Sequence, residues 1–295
     1  MRITSLTAAV LLGGFLTSAT RIVAAKEVGA PDPWASKEGA PEWVTAPPAK
    51  PDAIRVVIAA QSNGLELADH LAPAYVKQQT QAEIAWRLRG LLGEAADALL
   101  TLPIAQPTFV RKAYHLDPPP RGATFPGAAT YTAWTLFEVP ATPILESLPA
   151  EKREEARAAL ALAEPSDTPA WTEMTTPPAW SSQAVEGTDF IPVVLRFSAN
   201  RADVAKAQLI VLASAHVFGK IVEPLRAPLG LEDAWSVGSA ATTWRRCTAR
   251  AVVTGRGEST AWARFEVPLA RIVAAAPEAK REAVRAAFAP KPAPK

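Results

Sequence analysis

The pattern of hydrophobic and polar positions predicts a strand, a helix, two strands and a closing helix, and it does so twice along the chain. Ile54 to Ala60 and Ile191 to Phe197 are β-branched, apolar runs typical of strands. Apolar residues at helical spacing follow each run and indicate an amphipathic helix. These stripes are Ile84, Leu88, Leu91, Ala95 and Leu99 in the first half, and Val204, Ala207, Val211, Phe218, Val222 and Leu225 in the second.

Two further strands in each half should form a hairpin. The connection is short and glycine-containing in the second half, Thr254 to Glu258, and longer in the first, Asp117 to Thr130. Each third strand ends at a proline, which cannot donate to a strand ladder. The predicted strands are Phe109 to Leu116 and TAWTLFEVP (Thr132 to Pro140) in the first half, and Trp244 to Val253 and TAWARFEVP (Thr260 to Pro268) in the second.

The two third strands belong to a longer internal match. When Thr132 is aligned with Thr260, 16 of the 30 positions from Thr132 to Ala161 are identical without a gap. The same alignment places Pro41-Glu42-Trp43 on Pro169-Ala170-Trp171. We therefore expect an α+β fold of two tandem repeats of a β-α-β-β-α unit, each a small antiparallel sheet with helices packed on one face.

Composition changes mark the expected boundaries. Residues 1–25 combine a positive start, an apolar core and small residues at Val23-Ala24-Ala25, as in a cleaved export signal; an uncleaved or amphipathic helix is the alternative. A linker (26–40), repeat 1 (41–163), a second linker (164–168), repeat 2 (169–289) and a disordered tail (290–295) follow. The mature protein should then be exported, to the periplasm or beyond the cell, with no integral membrane span.

Alternation places Trp134 and Glu138, and likewise Trp262 and Glu266, on the sheet face opposite the helices. Registering the second strands against them gives two structural cross-strand pairs, Arg111 with Glu138 and Arg246 with Glu266. It also places a cation or imidazole beside each tryptophan. The candidate binding surface is therefore Trp134, Trp262, Arg111, Arg246, Arg250 and His115.

This residue set has two interpretations. The residues can simply hold the hairpin register, or the open faces can bind a partner, since surfaces that combine aromatic residues and arginine are common at interfaces. If the halves pack open face to open face, the set is an internal seam.

Composition and motifs exclude several classes of function. The net charge is +2 with dispersed basic residues, which argues against nucleic-acid binding. The single cysteine, Cys247, excludes an intramolecular disulfide and should be buried by alternation. His70, His115 and His216 are scattered, and nucleophile-elbow, dinucleotide, P-loop and zinc motifs do not occur. We expect no enzyme activity, no cofactor and no metal.

The Pro-x-Trp start at Pro41 and Pro169, followed by strand, helix, two strands and helix, resembles the LPP20-like exported α+β envelope proteins. The chain departs from that family in lacking a lipid-anchor cysteine and in being duplicated. The resemblance implies a structural or protein-binding role in the envelope, with an envelope protein as the possible partner. The alternative is a small-molecule carrier or an enzyme with its site in the cleft between the repeats.

Overall fold

The computed structural model describes residues 39–50, 52–62, 65–117, 130–162, 164–165, 167–182 and 189–289. Within these ranges the chain is a mixed α+β protein with eight α-helices and two small sheets. The predicted signal peptide, most of the first linker, the first hairpin loop and the predicted tail lie outside the described residues.

The first half contains a three-stranded antiparallel sheet, sheet 1, in the order β1-β3-β2. Its long helix ends at Leu92, because Gly93 has a φ of 57°, a left-handed conformation that favours glycine. The predicted apolar stripe runs past this end, and Ala95 is exposed in a following 3-10 helix. The elements are α1 (Glu42–Thr45), β1 (Ala53–Ser62), α2 (Leu65–Leu92), β2 (Thr108–Asp117), β3 (Thr130–Pro140), α3 (Thr142–Glu146) and α4 (Arg153–Ala161).

The second half contains a four-stranded sheet, sheet 2, in the order β4-β6-β7-β5. Sheet 2 is mixed rather than antiparallel as predicted, because the short β4 pairs parallel to β6. Sequence reasoning did not find β4, nor the helix that starts after Gly230, whose φ is 83°. The elements are β4 (Thr172–Met174), β5 (Phe190–Ala199), α5 (Ala202–Leu229), α6 (Leu231–Thr243), β6 (Arg246–Thr254), β7 (Ser259–Pro268), α7 (Leu269–Ala275) and α8 (Arg281–Ala287).

The closing helix of each half consists of two pieces rather than one. Pro149 lies between α3 and α4, and Pro277 lies between α7 and α8. Their ψ angles of 139° and 136° are extended, so each proline ends one helix and precedes a short 3-10 turn that leads into the next.

The elements stack in layers around two hydrophobic clusters. One face of sheet 1 packs on α2, with Ile54, Val56 and Phe137 against Ile84 and Leu88. The other face packs on α5, and α5 in turn packs on sheet 2 through Val193, Leu195 and Phe265. The order is therefore α2, sheet 1, α5, sheet 2.

The prediction of helices on one face of each sheet is therefore wrong for sheet 1, which is covered on both faces. We call its α5-facing side, which carries Val57, Ala59, Trp134 and Leu136, the seam face. It is apolar enough to be buried, and α5 of the second half covers it. The opposite side of sheet 2 from α5, which carries Val194, Arg196, Trp262 and Arg264, is the outer face.

The register of both second strands differs from the predicted one, and each strand contains a β-bulge. In β6 the register shifts between Cys247 and Ala249, so Arg250 lies opposite Ala263 rather than Trp262 and points to the α5 side. In β2 the register shifts between Phe109 and Arg111. The pairing beyond this shift differs by two residues from the predicted one, so that Arg111 lies opposite Leu136 and His115 lies opposite Thr132.

Candidate functional site

The two tryptophans of the repeated phrase lie in different environments. Trp134 is 0% exposed on the seam face, and its ring stacks on His115 with centroids 5.9 Å apart and an angle of 18°. The side chain of Gln208 on α5 donates to Thr132 on the same face over 3.4 Å. Trp134 and His115 are therefore internal and not accessible to a partner, whereas Trp262 is only half-buried on the outer face.

The outer face combines an aromatic ring with charged and hydroxyl groups. The Arg196 guanidinium lies over the Trp262 ring, 5.6 Å from its centroid. Arg264 donates to Glu266 over 3.0 Å. The hydroxyls of Ser198 and Thr260 lie 2.9 Å apart on neighbouring strands. These groups follow from alternation along two adjacent strands, with Arg196 directly opposite Trp262 in the register.

Corresponding positions on the seam face are apolar. In sheet 1 Ala59 lies opposite Trp134, whereas in sheet 2 Arg196 lies opposite Trp262. Leu136 follows Trp134 by two positions and is fully buried, whereas Arg264 follows Trp262 by two positions and reaches solvent. The difference between TAWTLFEVP and TAWARFEVP, Leu136 against Arg264, is therefore the sequence signal for which face is covered.

The predicted arginines stack on other tryptophans. Arg111 lies over Trp43 with its Cζ 5.9 Å from the ring centroid. Arg250 lies over Trp171 at 4.9 Å. Arg250 also donates to the Glu164 carboxylate and to the Pro169 carbonyl, each over 2.7 Å. Each half thus joins its Pro-x-Trp segment to its second strand through an arginine, a type of contact that contributes about 0.5–2 kcal/mol.

Neither predicted Arg–Glu pair forms an ion pair. Glu138 binds Arg55, its opposite residue on β1, at 2.6 Å and Lys50 at 2.8 Å. The hydrogen bond from Lys50, followed by that from Arg55, holds the pKa of Glu138 below its ordinary value. Arg246 does lie opposite Glu266 in the register, but that carboxylate accepts from Arg264 instead.

A second group of charges lies where the two halves meet. Arg245, which precedes β6, is 1% exposed and donates to Glu83 on α2 over 2.7 Å. Its guanidinium lies 3.9 Å from the centroid of Trp86, and the Trp86 indole N–H donates to the Arg245 carbonyl over 3.0 Å. Burial lowers the pKa of Arg245. We call these three residues the junction; their ion pair joins the halves.

Arg87, one turn beyond Glu83, is a second buried cation at 7% exposure. Its Nη1 donates to the carbonyls of Arg55 and Leu160 over 3.1 and 3.2 Å. Its Nε has no acceptor among the residues that the structure describes, and Arg87 forms no ion pair with any of them. Burial lowers the pKa of Arg87.

The remaining candidates show no sign of reactivity. Cys247 is buried, as alternation predicts, and burial raises the pKa of its thiol to about 12. His216 is exposed and lies edge-on to Phe197; desolvation by its neighbours, followed by the charge of Lys220, lowers its pKa. The side chain of His70 lies outside the described residues. Within the described ranges no group of three or more His, Cys, Asp or Glu could hold a metal ion.

Length and composition alone would allow α5 to cross a membrane, but half of its most apolar window is buried within the body. Two hollows are relevant to ligand binding. One, of about 510 Å³, is open and lies at the start of α5, where it is lined by Asn200, Arg201 and Thr254. The other, of about 30 Å³, lies between the halves and is lined in part by Glu83 and Arg87.

Comparison with known proteins adds no relative: the sequence matches neither a protein-family model nor a curated protein, and no solved structure matches the fold.

Proposed function

We propose that the chain is an exported, non-enzymatic envelope protein with a structural or protein-binding role, built by tandem duplication of a β-α-β-β-α unit. In this proposal the protein binds its partner through the outer face of sheet 2. The observation that carries it is the exposed Arg196 guanidinium stacked on the half-buried Trp262.

Matching elements support the duplication. β1 and β5 are each 10 residues long, and α2 and α5 are each 28 residues long. The matching elements also start at the same distance along the chain: β5 begins 137 residues after β1 (190 − 53), and α5 begins 137 residues after α2 (202 − 65). A hairpin and two short helices follow in each half, and the second half adds α6 and β4. The loop between the hairpin strands is shorter in the second half, which accounts for the different offset of the repeated phrase.

The chemistry of the outer face favours a protein partner that presents carboxylates. Arg196 forms no ion pair with any described residue, so its charge is available. The half-buried Trp262 ring offers apolar area beside this charge. Tryptophan and arginine are the residue types that contribute most binding energy at protein interfaces. A carboxylate on the partner would pair with Arg196 while an apolar side chain packs on Trp262.

Export and family membership are part of the same proposal and rest on sequence alone. The signal-like residues 1–25 support passage across a membrane, and the resemblance to LPP20-like proteins supports an envelope location. The matching test is amino-terminal sequencing of the protein recovered from the cell envelope. A mature chain that begins near Lys26 supports export, and an intact Met1 in the cytoplasmic fraction contradicts it.

The dimensions of the described body weigh against the alternative of a carrier between the repeats. Pockets that hold drug-sized ligands measure about 300–1,000 Å³. The cavity between the halves is about 30 Å³, and the larger hollow lies at one end of the second half. A surface role fits these dimensions better than an enclosed ligand site.

Site-specific photocrosslinking in living cells tests the binding face. A photoreactive phenylalanine analogue is placed at Ser198 on the outer face, and the matched control position is Arg285, exposed on α8. We expect a discrete crosslinked protein from position 198 that is lost with Arg196→Glu and is absent from position 285. An identical set of products at both positions, or no product at 198, would contradict the proposal.

A further inference from the structure

The cavity of about 30 Å³ lies where α2, β1 and α5 meet, so both halves of the chain contribute to its wall. Most of the lining is apolar and includes Val57, Trp86 and Val211, and the polar side chains in it are Glu83 and Arg87. About 10–15 Å³ of space for its centre is enough to hold one water molecule, so the cavity has room for one small ligand.

One of the two buried arginines near this cavity has no ion-pair partner in the described part of the chain. Arg87 and Arg245 are both buried; Glu83 contacts Arg245, while Glu83 and Glu164 act on Arg87 only through longer-range attraction. The Glu83 carboxylate accepts a hydrogen bond from Arg245 over 2.7 Å, whereas Arg87 donates to backbone carbonyls. Arg87 is therefore a buried cation without an ion-pair partner among the described residues, in a region of low dielectric where buried charges are normally paired.

We propose that this cavity binds one small monovalent anion, chloride in size, which Arg87 holds through its charge and its Nε–H. Arg87 is more than nine-tenths buried, lines the cavity and has an Nε without an acceptor in the described residues. The Glu83 carboxylate repels such an anion weakly, because its own charge is engaged by Arg245. The site is independent of the outer face.

Such an anion would strengthen the contact between the halves. A ligand that binds the folded chain and not the unfolded one raises stability with its concentration. Because the cavity wall includes residues of α5 as well as α2, separation of the halves would open the site and release the anion. Stability should therefore depend on the identity of the anion and not only on ionic strength.

The first experiment compares thermal unfolding of the protein in sodium chloride, sodium bromide and sodium gluconate at equal ionic strength. We expect a midpoint several degrees higher in chloride and bromide than in gluconate, which is too large for the cavity. Arg87→Met should abolish this difference, while Arg246→Met, which removes an exposed arginine 3.7 Å from Asp167, should retain it. Equal midpoints in all three salts for the unaltered protein would overturn the proposal.

The second measurement does not depend on any variant. Crystals of the unaltered protein grown in bromide should show an anomalous scattering peak in the cavity beside Arg87. Water density without an anomalous signal would overturn the anion site. A bromide peak without any anion-dependent stability would indicate an adventitious ion only, and it would also overturn the proposal.

Discussion

Replacing Arg245 by methionine should destabilise the protein more than any exposed arginine replacement, because it disrupts the junction. Arg245→Met leaves Glu83 without its partner at 2.7 Å and removes the guanidinium from the face of Trp86. Removing one member of a buried ion pair costs about 3–5 kcal/mol. Glu83 retains some access to water, so the lower end of this range, about 3 kcal/mol, is expected.

This free energy translates into a measurable shift. For a domain of this size each kcal/mol lowers the unfolding midpoint by about 2–4 °C, so Arg245→Met should lower it by roughly 6–12 °C. The matched control is the neighbouring Arg246→Met, whose side chain is 66% exposed and lies 3.7 Å from Asp167. Exposed pairs contribute about 0–1 kcal/mol, so this control should shift the midpoint little.

The assay is guanidinium-induced unfolding followed by circular dichroism, repeated for Glu83→Gln and for the double variant. Because both single variants disrupt the same ion pair, the double variant should cost less than their sum. Additive costs would show that Glu83 and Arg245 do not interact in solution. An equal loss of stability in Arg245→Met and Arg246→Met would refute the reasoning about burial.

Three further predictions concern other parts of the chain. Cys247, with a pKa near 12, should react with an aromatic disulfide reagent only after unfolding; rapid reaction of the folded protein would contradict its burial. Gly238→Ala on α6 brings a methyl group against Val222 on α5 and should cost about 1–3 kcal/mol in chemical denaturation. The control is Gly219→Ala, where the added methyl group meets open space and should raise the free energy of unfolding by about 0.5–1 kcal/mol. Equal effects of the two substitutions on stability would contradict the close packing of α6 on α5. The pKa of Glu138 is lower in the folded protein than its ordinary value of 4.5, so its ion pairs stabilise the fold fully above about pH 4.5. This stabilisation is lost as the pH falls through the folded-state pKa of Glu138. The stability difference from Glu138→Gln should therefore shrink in acid, and a difference that stays constant with pH would contradict the Lys50 contact.

Local sequence patterns gave the strands and the long helices because alternation and helical spacing are local properties. Val193 and Leu195 face α5 as their alternation requires, and Pro140 and Pro268 end their strands. The bulge in β6 could not be predicted from alternation or helical spacing. One extra residue near Thr248 changes the side of the sheet on which Arg250 lies, and no turn or proline marks it in the sequence.

The burial of the seam face was missed for a different reason. Which face of a sheet is covered depends on distant parts of the chain, here the packing of α5 on a sheet whose last strand ends 62 residues before α5 begins (202 − 140). The sequence held a clue in Leu136 and Ala59, whose counterparts Arg264 and Arg196 are charged. The differences between the two similar nine-residue stretches, and not only their identities, separate the covered face from the exposed one.

The junction had no sequence signal of its own. Glu83 and Arg87 have the i, i+4 spacing that usually marks an exposed helix face, yet both line the contact between the halves. Arg245 is not among the residues predicted for the site, because the predicted register assigned its neighbour Arg246 to the pair with Glu266.

The most direct test of the central proposal is hydroxyl-radical oxidation of Trp262, compared between the purified protein and intact cells, with Trp134 as internal reference. In the purified protein Trp262 should oxidise readily and the fully buried Trp134 should not. In cells a bound partner should protect Trp262 while Trp134 stays unreactive. If Trp262 oxidises at the same rate in both settings, nothing covers the outer face, and the proposed binding function is wrong.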